Sequence, residues 1–248
     1  MKIRVIPSIL TNGVSQVKGE KFNNWRTVGT VMQAVRVHSA RDVDEIVLLD
    51  VTATQEDRLI SPGLVDNVSR DLRVPLTVGG GIRSVDDVAE LLGAGADKVV
   101  IGTGAIENEG LIEELATRFG SQAIVVAIDA ADDGSSSIAI KSGTVPVSIS
   151  PSEYARDMAQ QGAGELLVQN VRRDGTQVGM NHGLVSAVSA EVSLPVLASS
   201  GLSSPEDAVG AVKSGASAIV AGAILQFTQV TPRDIREAIS HAGFDVRR

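Results

Sequence analysis

The sequence predicts a (β/α)8 barrel, and three observations carry that expectation. Eight short apolar runs alternate strictly with helical patterns, which implies a parallel sheet able to close on itself. The composition suits strands buried on both faces: 43% of residues are hydrophobic but only 2% aromatic, so Val, Ile, Leu and Ala must fill the core. The third observation is a repeat at half the chain length. Gly81 pairs with Gly201, Asp87 with Asp207, Gly95-Ala96 with Gly215-Ala216 and Gly102 with Gly222, each 120 residues apart. DEIVLLD (44–50) likewise precedes GELLVQN (164–170) by 120. One domain of 248 residues made from two halves, about 1–120 and 121–248, accounts for this. A doubly wound open sheet would not explain it.

The elements follow in order. MKIRVIPSIL has a basic start but is too short for a signal peptide, and 3–9 reads as the first strand. An insertion-like stretch, 11–29, containing Lys18, separates it from a helix at 30–40. The strand at 45–51 ends in Asp50, and a helix at 61–70 follows. At 75–79 a buried strand stops at Gly79-Gly80-Gly81, where the backbone is free to approach a ligand. Ser84 is the N-cap of a helix at 85–94, with Asp86 and Asp87 in its first turn, where the helix dipole favours acids. Val85, Val88, Ala89, Leu91 and Leu92 form its apolar stripe. The strand at 97–101 runs into Gly102-Thr103, then a helix at 107–119 and a strand at 123–128 ending near Asp129. A second insertion, 131–151, is rich in Ser and Gly. Beyond it come a helix at 151–162, a strand at 165–170, a helix at 182–190, a strand at 195–198, a helix at 204–214, a strand at 217–221 and a helix at 231–241.

Charge and composition exclude several classes. The net charge is −8 with no basic cluster, so nucleic acid is not an expected partner. No apolar run reaches the roughly 18 residues of a membrane span, so no membrane is expected. The absence of cysteine removes disulfides and thiolate chemistry and fits a cytoplasmic protein. The three histidines (His38, His182, His241) are scattered, and neither a metal nor a cofactor is expected.

Barrel chemistry belongs at the C-terminal ends of the strands. The Gly81 and Gly102-Thr103 turns each precede a helix N-terminus, where free N–H groups and the dipole attract anions. Gly201 and Gly222 repeat this after strands seven and eight, beside Ser199. Lone glycines would be read as tight turns; two paired sets point to a substrate phosphorylated at both ends. Asp129 is placed to work as a general acid or base. Asp50 ends its strand in the same way, and either catalyses or orients a loop. Asp174, in RRDGT just before Gly175, is a third candidate. At the opposite end Arg4, Glu45, Lys98 and Glu165 open strands one, two, four and six. Four charges on a barrel floor must pair to be tolerated. They form either a stabilising ring or a gate for something small and neutral.

The stretches DEIVLLDVTA, PLTVGGGI, GADKV, FGSQAIVVAIDA, GAGELL, RRDGT and DIREAISHAGFDVR resemble the cyclase subunit of imidazole glycerol phosphate synthase. That resemblance implies a half-barrel-duplicated enzyme of histidine biosynthesis. Such an enzyme binds a glutaminase at its N-terminal face, takes ammonia through the barrel and joins it to a bis-phosphorylated substrate. It gives Arg4, Glu45, Lys98 and Glu165 the role of an ammonia gate. It assigns Gly81 and Thr103 to one phosphate site and Gly175 and Gly201 to the other. Asp129 becomes one of two catalytic aspartates, and Lys18 sits on a mobile loop over the substrate. The departures fall on the chemistry: Leu10 stands at the family's first catalytic aspartate, within Ser8-Ile9-Leu10-Thr11. Gly102 replaces an asparagine, Ala223 a serine and Arg172 an aspartate.

A second branch of the family is similar in IP at strand one and in the segment holding KFNNW and AVRV. Its members work with a glutaminase and a separate amidotransferase in making acetamidino sugars for surface polysaccharides. Three readings follow: a barrel that relays ammonia to another enzyme, a cyclase whose base has moved to Asp50 or Asp174, and a non-catalytic phosphate-binding scaffold.

Overall fold

The structure is a computed structural model and describes residues 2–132 and 136–247. In chain order its first half runs β1 (Arg4–Thr11), β2 (Gln16–Glu20), β3 (Asn23–Gly29), α1 (Val31–Ser39), β4 (Ile46–Asp50), α2 (Pro62–Asp71), β5 (Leu76–Gly79), α3 (Val85–Gly93), β6 (Lys98–Ile101), α4 (Thr103–Glu107) and α5 (Leu111–Phe119). The second half runs β7 (Ile124–Ala130), β8 (Ile138–Ile140), β9 (Val145–Val147), α6 (Pro151–Gln160), β10 (Glu165–Asn170), α7 (His182–Ser189), β11 (Val196–Ala198), α8 (Pro205–Lys213), β12 (Ala218–Ala221), α9 (Ala223–Phe227) and α10 (Pro232–His241).

Eight of these strands pair in parallel in the order β1, β4, β5, β6, β7, β10, β11, β12, and β12 returns to β1. The predicted (β/α)8 barrel is therefore closed, with its helices outside. Helix starts follow from local chemistry. Ser84 caps α3 by accepting from the Asp87 N–H, while Asp87 accepts from the Ser84 N–H. Thr30, Ser150 and Thr231 close the same box on α1, α6 and α10.

Alternation along each strand sorts side chains into two cores. Val5, Ile9, Ile46, Leu48, Val126 and Ile128 point outward and pack against the helix stripes. Ile6, Val47, Val100, Val125, Leu167, Leu197 and Val220 point inward and plug the barrel. Each fully buried aliphatic side chain contributes about 1.5–3 kcal/mol by removal from water.

The two halves repeat in backbone detail. Gly81 and Gly201 take φ values of 71° and 82°, and Gly102 and Gly222 share φ/ψ of −109°/−97° and −117°/−88°. Three differences from the sequence reading stand out. The helix expected over 107–119 is two, α4 and α5, broken at Asn108–Gly110, and α9 repeats the short α4. The 11–29 insertion is a hairpin, β2–β3, whose first strand joins the barrel sheet antiparallel to β1. The 131–151 insertion is a second hairpin, β8–β9, extending β7; residues 133–135 of it lie outside the described residues. Both segments are charged or small-residue stretches whose turn residues gave no strand alternation, so the ladder pairing decided them.

A candidate active site at the barrel mouth

A cavity of about 470 Å³ opens at the C-terminal end of the barrel, large enough for a small organic ligand. Its apolar floor is the top of the inner core, with Leu10, Leu49, Val100, Ala127, Leu167 and Val220 exposed to it. Asp50, Gly81, Gly102, Thr103, Asp129, Asp174 and Ser199 all line it. A second, smaller cavity of about 30 Å³ lies beside it among Lys18, Asp174, Gly175, Ser199, Gly201 and Gly222. The fold thus gathers every mouth residue that the sequence singled out. Arg4, Glu45, Lys98 and Glu165 lie apart, at the opposite end of the strands.

Gln169 Nε2 donates to Asp129 Oδ1 at 2.9 Å, because β7 and β10 pair with Asp129 opposite Gln169. Burial pushes the Asp129 carboxyl up to about 7; the Gln169 bond opposes the shift and the charge of Asp174 adds to it. A carboxyl held there exchanges protons at neutral pH, as a general acid or base must. Asp174 is raised to about 6, again mainly by burial, with Lys18, the Ser200 hydroxyl and the Gly175 N–H acting against it. Lys18 is lowered to about 8 by burial, with Asp174 opposing.

Lys18 stands on strand β2 rather than on a loop. Its Nζ donates to the Ser8 carbonyl at 3.1 Å, and the side chain is buried. The hairpin that carries it is tied down from both sides. The Lys21 N–H donates to the Asp174 carbonyl at 2.8 Å, and a Cβ at Gly175 would collide with the Gly19 carbonyl. Phe22 and Trp25 from this hairpin line the large cavity. The second hairpin reaches in from the other side, where the Lys141 N–H donates to the Thr103 hydroxyl at 2.9 Å.

Asp50 is held by its own loop. It accepts from the Thr52 and Ala53 N–H groups at 3.1 and 3.2 Å and pairs with Arg58 at 2.6 Å. With its oxygens engaged on a turn and a guanidinium, it orients the loop after β4.

At the N-terminal end four charges close a ring. Arg4 meets Glu45 at 2.7 Å and Glu165 at 2.8 Å, while Lys98 meets Glu165 at 2.9 Å and Glu45 at 3.2 Å. The Thr77 hydroxyl donates to Glu45 at 2.6 Å. Two cations and two carboxylates alternate, each bridging both opposite charges, which is the pairing that so buried a set requires. The apolar inner core separates this ring from the mouth.

Arg58, Phe22, Trp25, Lys141 and Gln169 were not singled out in the sequence. Alternation could have found Gln169: Glu165, Leu167 and Gln169 are every second residue of β10, and all face inward. The others depend on which loop crosses which.

The closed (β/α)8 fold, its mouth of carboxylates and glycine turns and the ionic ring at its other end define a barrel with a small-molecule cavity at the C-terminal ends of its strands. The family described as "Histidine biosynthesis protein" matches residues 4–231, and the chain belongs to it. It is 40% identical over 246 residues to the imidazole glycerol phosphate synthase subunit HisF of Dictyoglomus turgidum, covering 98% of both chains. Identity to the proteins of the same name is 36% in Leifsonia xyli, over 99% of this chain and 98% of the relative, and 35% in Gluconacetobacter diazotrophicus, over 100% and 96%. Among the described residues no helix is long and apolar enough to cross a membrane.

Proposed function

We propose that this chain is the ammonia-receiving barrel of a three-protein system. A glutaminase seats on the N-terminal face, ammonia enters through the ring of Arg4, Glu45, Lys98 and Glu165, and nitrogen leaves at the mouth for amidination of a sugar by a separate amidotransferase. The carrying observation is Leu10. The resemblance sets it at a catalytic aspartate, and it lies on the apolar floor of the mouth cavity. Leucine transfers no proton, yet the ring is complete. A complete entrance beside an incomplete acid–base pair favours delivery over cyclisation. Neutral ammonia can pass between the apolar side chains of the inner core, among which ammonium would forfeit its hydration.

The second reading is a genuine cyclase of histidine biosynthesis. Full-length likeness to HisF subunits favours it, as does a carboxyl at Asp129 poised near neutrality. In it Asp129 is the general acid–base and Asp174 the second carboxylate. Gly81, Gly102 and Thr103 hold one phosphate, and Gly175, Ser199, Gly201 and Gly222 the other.

Turnover of the bis-phosphorylated histidine precursor, with an ammonium salt in place of the glutaminase, separates the two. The relay reading expects no cyclisation above background. Cyclisation that Asp129→Asn abolishes would overturn it and establish the second.

A further inference from the structure

We infer that Lys141 is a further anion-binding residue of the mouth: the β8–β9 hairpin carries its ammonium to a phosphate monoester held at the Thr103 turn, and Glu107 holds that ammonium until the phosphate arrives. This rests on the assignment of Gly81, Gly102 and Thr103 to one phosphate, and it stands whether or not the ligand is then cyclised.

The lysine is rooted on the turn itself. Its N–H donates to the Thr103 hydroxyl at 2.9 Å, which uses a lone pair of that oxygen and leaves its O–H to donate to a ligand. A phosphate oxygen accepting from Thr103 would lie about 2.7–2.8 Å from the hydroxyl. The flexible four-carbon stem of a lysine whose own backbone nitrogen touches that hydroxyl reaches such an anion by rotamer changes alone. Gly102 brings no side chain to the turn, so the group must come from elsewhere. The hairpin is held at this place against its own backbone preference. Lys141 and Ser142 take φ values of 52° and 57°, left-handed angles that cost a non-glycine residue energy. The turn they form crosses the mouth, with Lys141 bonded to Thr103 after β6 and the Ser142 hydroxyl donating to the Val51 carbonyl after β4 at 3.2 Å.

Glu107 gives this lysine its second state. Thr103 and Glu107 are four residues apart on α4 and share one face of it, and both line the large cavity with Lys141. A bare carboxylate there would repel a phosphate, which carries about −1.5 to −2 at neutral pH. Lys141 Nζ meets Glu107 at 3.0 Å and cancels that charge. The two side chains are 50% and 41% exposed, so water screens the pair and holds the ammonium only weakly on Glu107. A doubly charged phosphate beside Thr103 is the stronger partner, and the ammonium transfers to it.

The intact chain, without glutaminase, is titrated with ribose 5-phosphate by calorimetry. Thr103→Val marks the binding that belongs to this turn and should abolish it. Lys141→Met should weaken that binding about fivefold or more, by an amount that shrinks as salt is raised, and Lys141→Arg should restore most of it. Glu107→Gln, a change at a half-exposed position that leaves the fold intact, should tighten it about twofold or more, because it frees the ammonium and removes the repelling carboxylate. Parental affinity in Lys141→Met, or weaker binding in Glu107→Gln, would overturn the inference while the Thr103 assignment stood. Binding unchanged by Thr103→Val, or no binding by the parent, would overturn the assignment and the inference with it.

Discussion

Asp129 sits in a cavity wall with one hydrogen bond from Gln169, and burial still lifts its carboxyl to about 7 from the usual 3.8. A carboxyl raised on folding makes the folded state hold a proton that the unfolded chain has released. Stability therefore falls as pH rises from about 4 to about 7, and the full cost is present above that window. Asp129→Asn removes the titration while keeping an acceptor for Gln169. The variant should be more stable than the parent by about 1–3 kcal/mol at pH 8, and the difference should vanish below about pH 4. Urea midpoints at the two pH values measure it. An unchanged difference across the range would mean that Asp129 is ionised at neutral pH and unsuited to acid–base work. The raised carboxyl could be anticipated in kind from IVVAID, an acid at the end of a buried run. That Gln169 faces inward was legible from alternation, but its pairing with Asp129 was not, because that depends on the register of β7 against β10.

At the scale of elements, the two hairpins decide how open the mouth is. The β2–β3 hairpin is anchored to β1 by the pairs Leu10–Val17 and Thr11–Gln16, and its tip is anchored to the loop after β10 by Lys21 and by the Gly19–Gly175 approach. Gly175 has φ +72° and no room for a Cβ, so Gly175→Ala must push the two loops apart or strain both. The expected outcome is a red shift of Trp25 emission and faster tryptic cleavage after Lys18 and Lys21, with the thermal midpoint lowered by only a few degrees. Cleavage at the parental rate would mean that the β1 ladder alone holds the hairpin down. These closures were the least legible part of the sequence. Helices declare themselves through caps such as Ser84 and through apolar stripes, but a hairpin such as 16–29 earns its strands from cross-strand partners far along the chain. The ionic ring was the opposite case. Arg4, Lys98 and Glu165 each open a strand and Glu45 immediately precedes one, so barrel closure alone brings them together.

For the whole molecule, the 120-residue correspondence is reproduced by backbone angles at Gly81 and Gly201, yet the two halves have parted in how their boxes are wired. Asp87 accepts from the Arg83 and Ser84 N–H groups and stabilises one helix start on the surface. Its counterpart Asp207 accepts from the Ser203 N–H and hydroxyl, but also from the Met180 N–H at 3.0 Å, and it pairs with His182 at 2.8 Å. Met180 and His182 belong to the long loop after β10 and the start of α7, so Asp207 ties one βα unit to the next. The spacing of Asp87 and Asp207 was visible in the sequence; this extra duty was not, since it depends on where the loop after β10 folds back. Removing each should therefore have unequal effects. Asp87→Ala is expected to cost about 1 kcal/mol, the worth of a helix cap. Asp207→Ala should cost about 2–4 kcal/mol, because it also strands the Met180 N–H and unties His182. The double variant should lose the sum to within about 0.5 kcal/mol, since no hydrogen bond or ion pair links the two acids. Guanidinium melts of the three variants give these values, and one shared transition in each is expected if the barrel unfolds as a unit. Equal losses would place the tie between units elsewhere. Two separate transitions would show that the halves retain independent stability, and that their closure into one barrel is weaker than the continuous ladder from β12 to β1 implies.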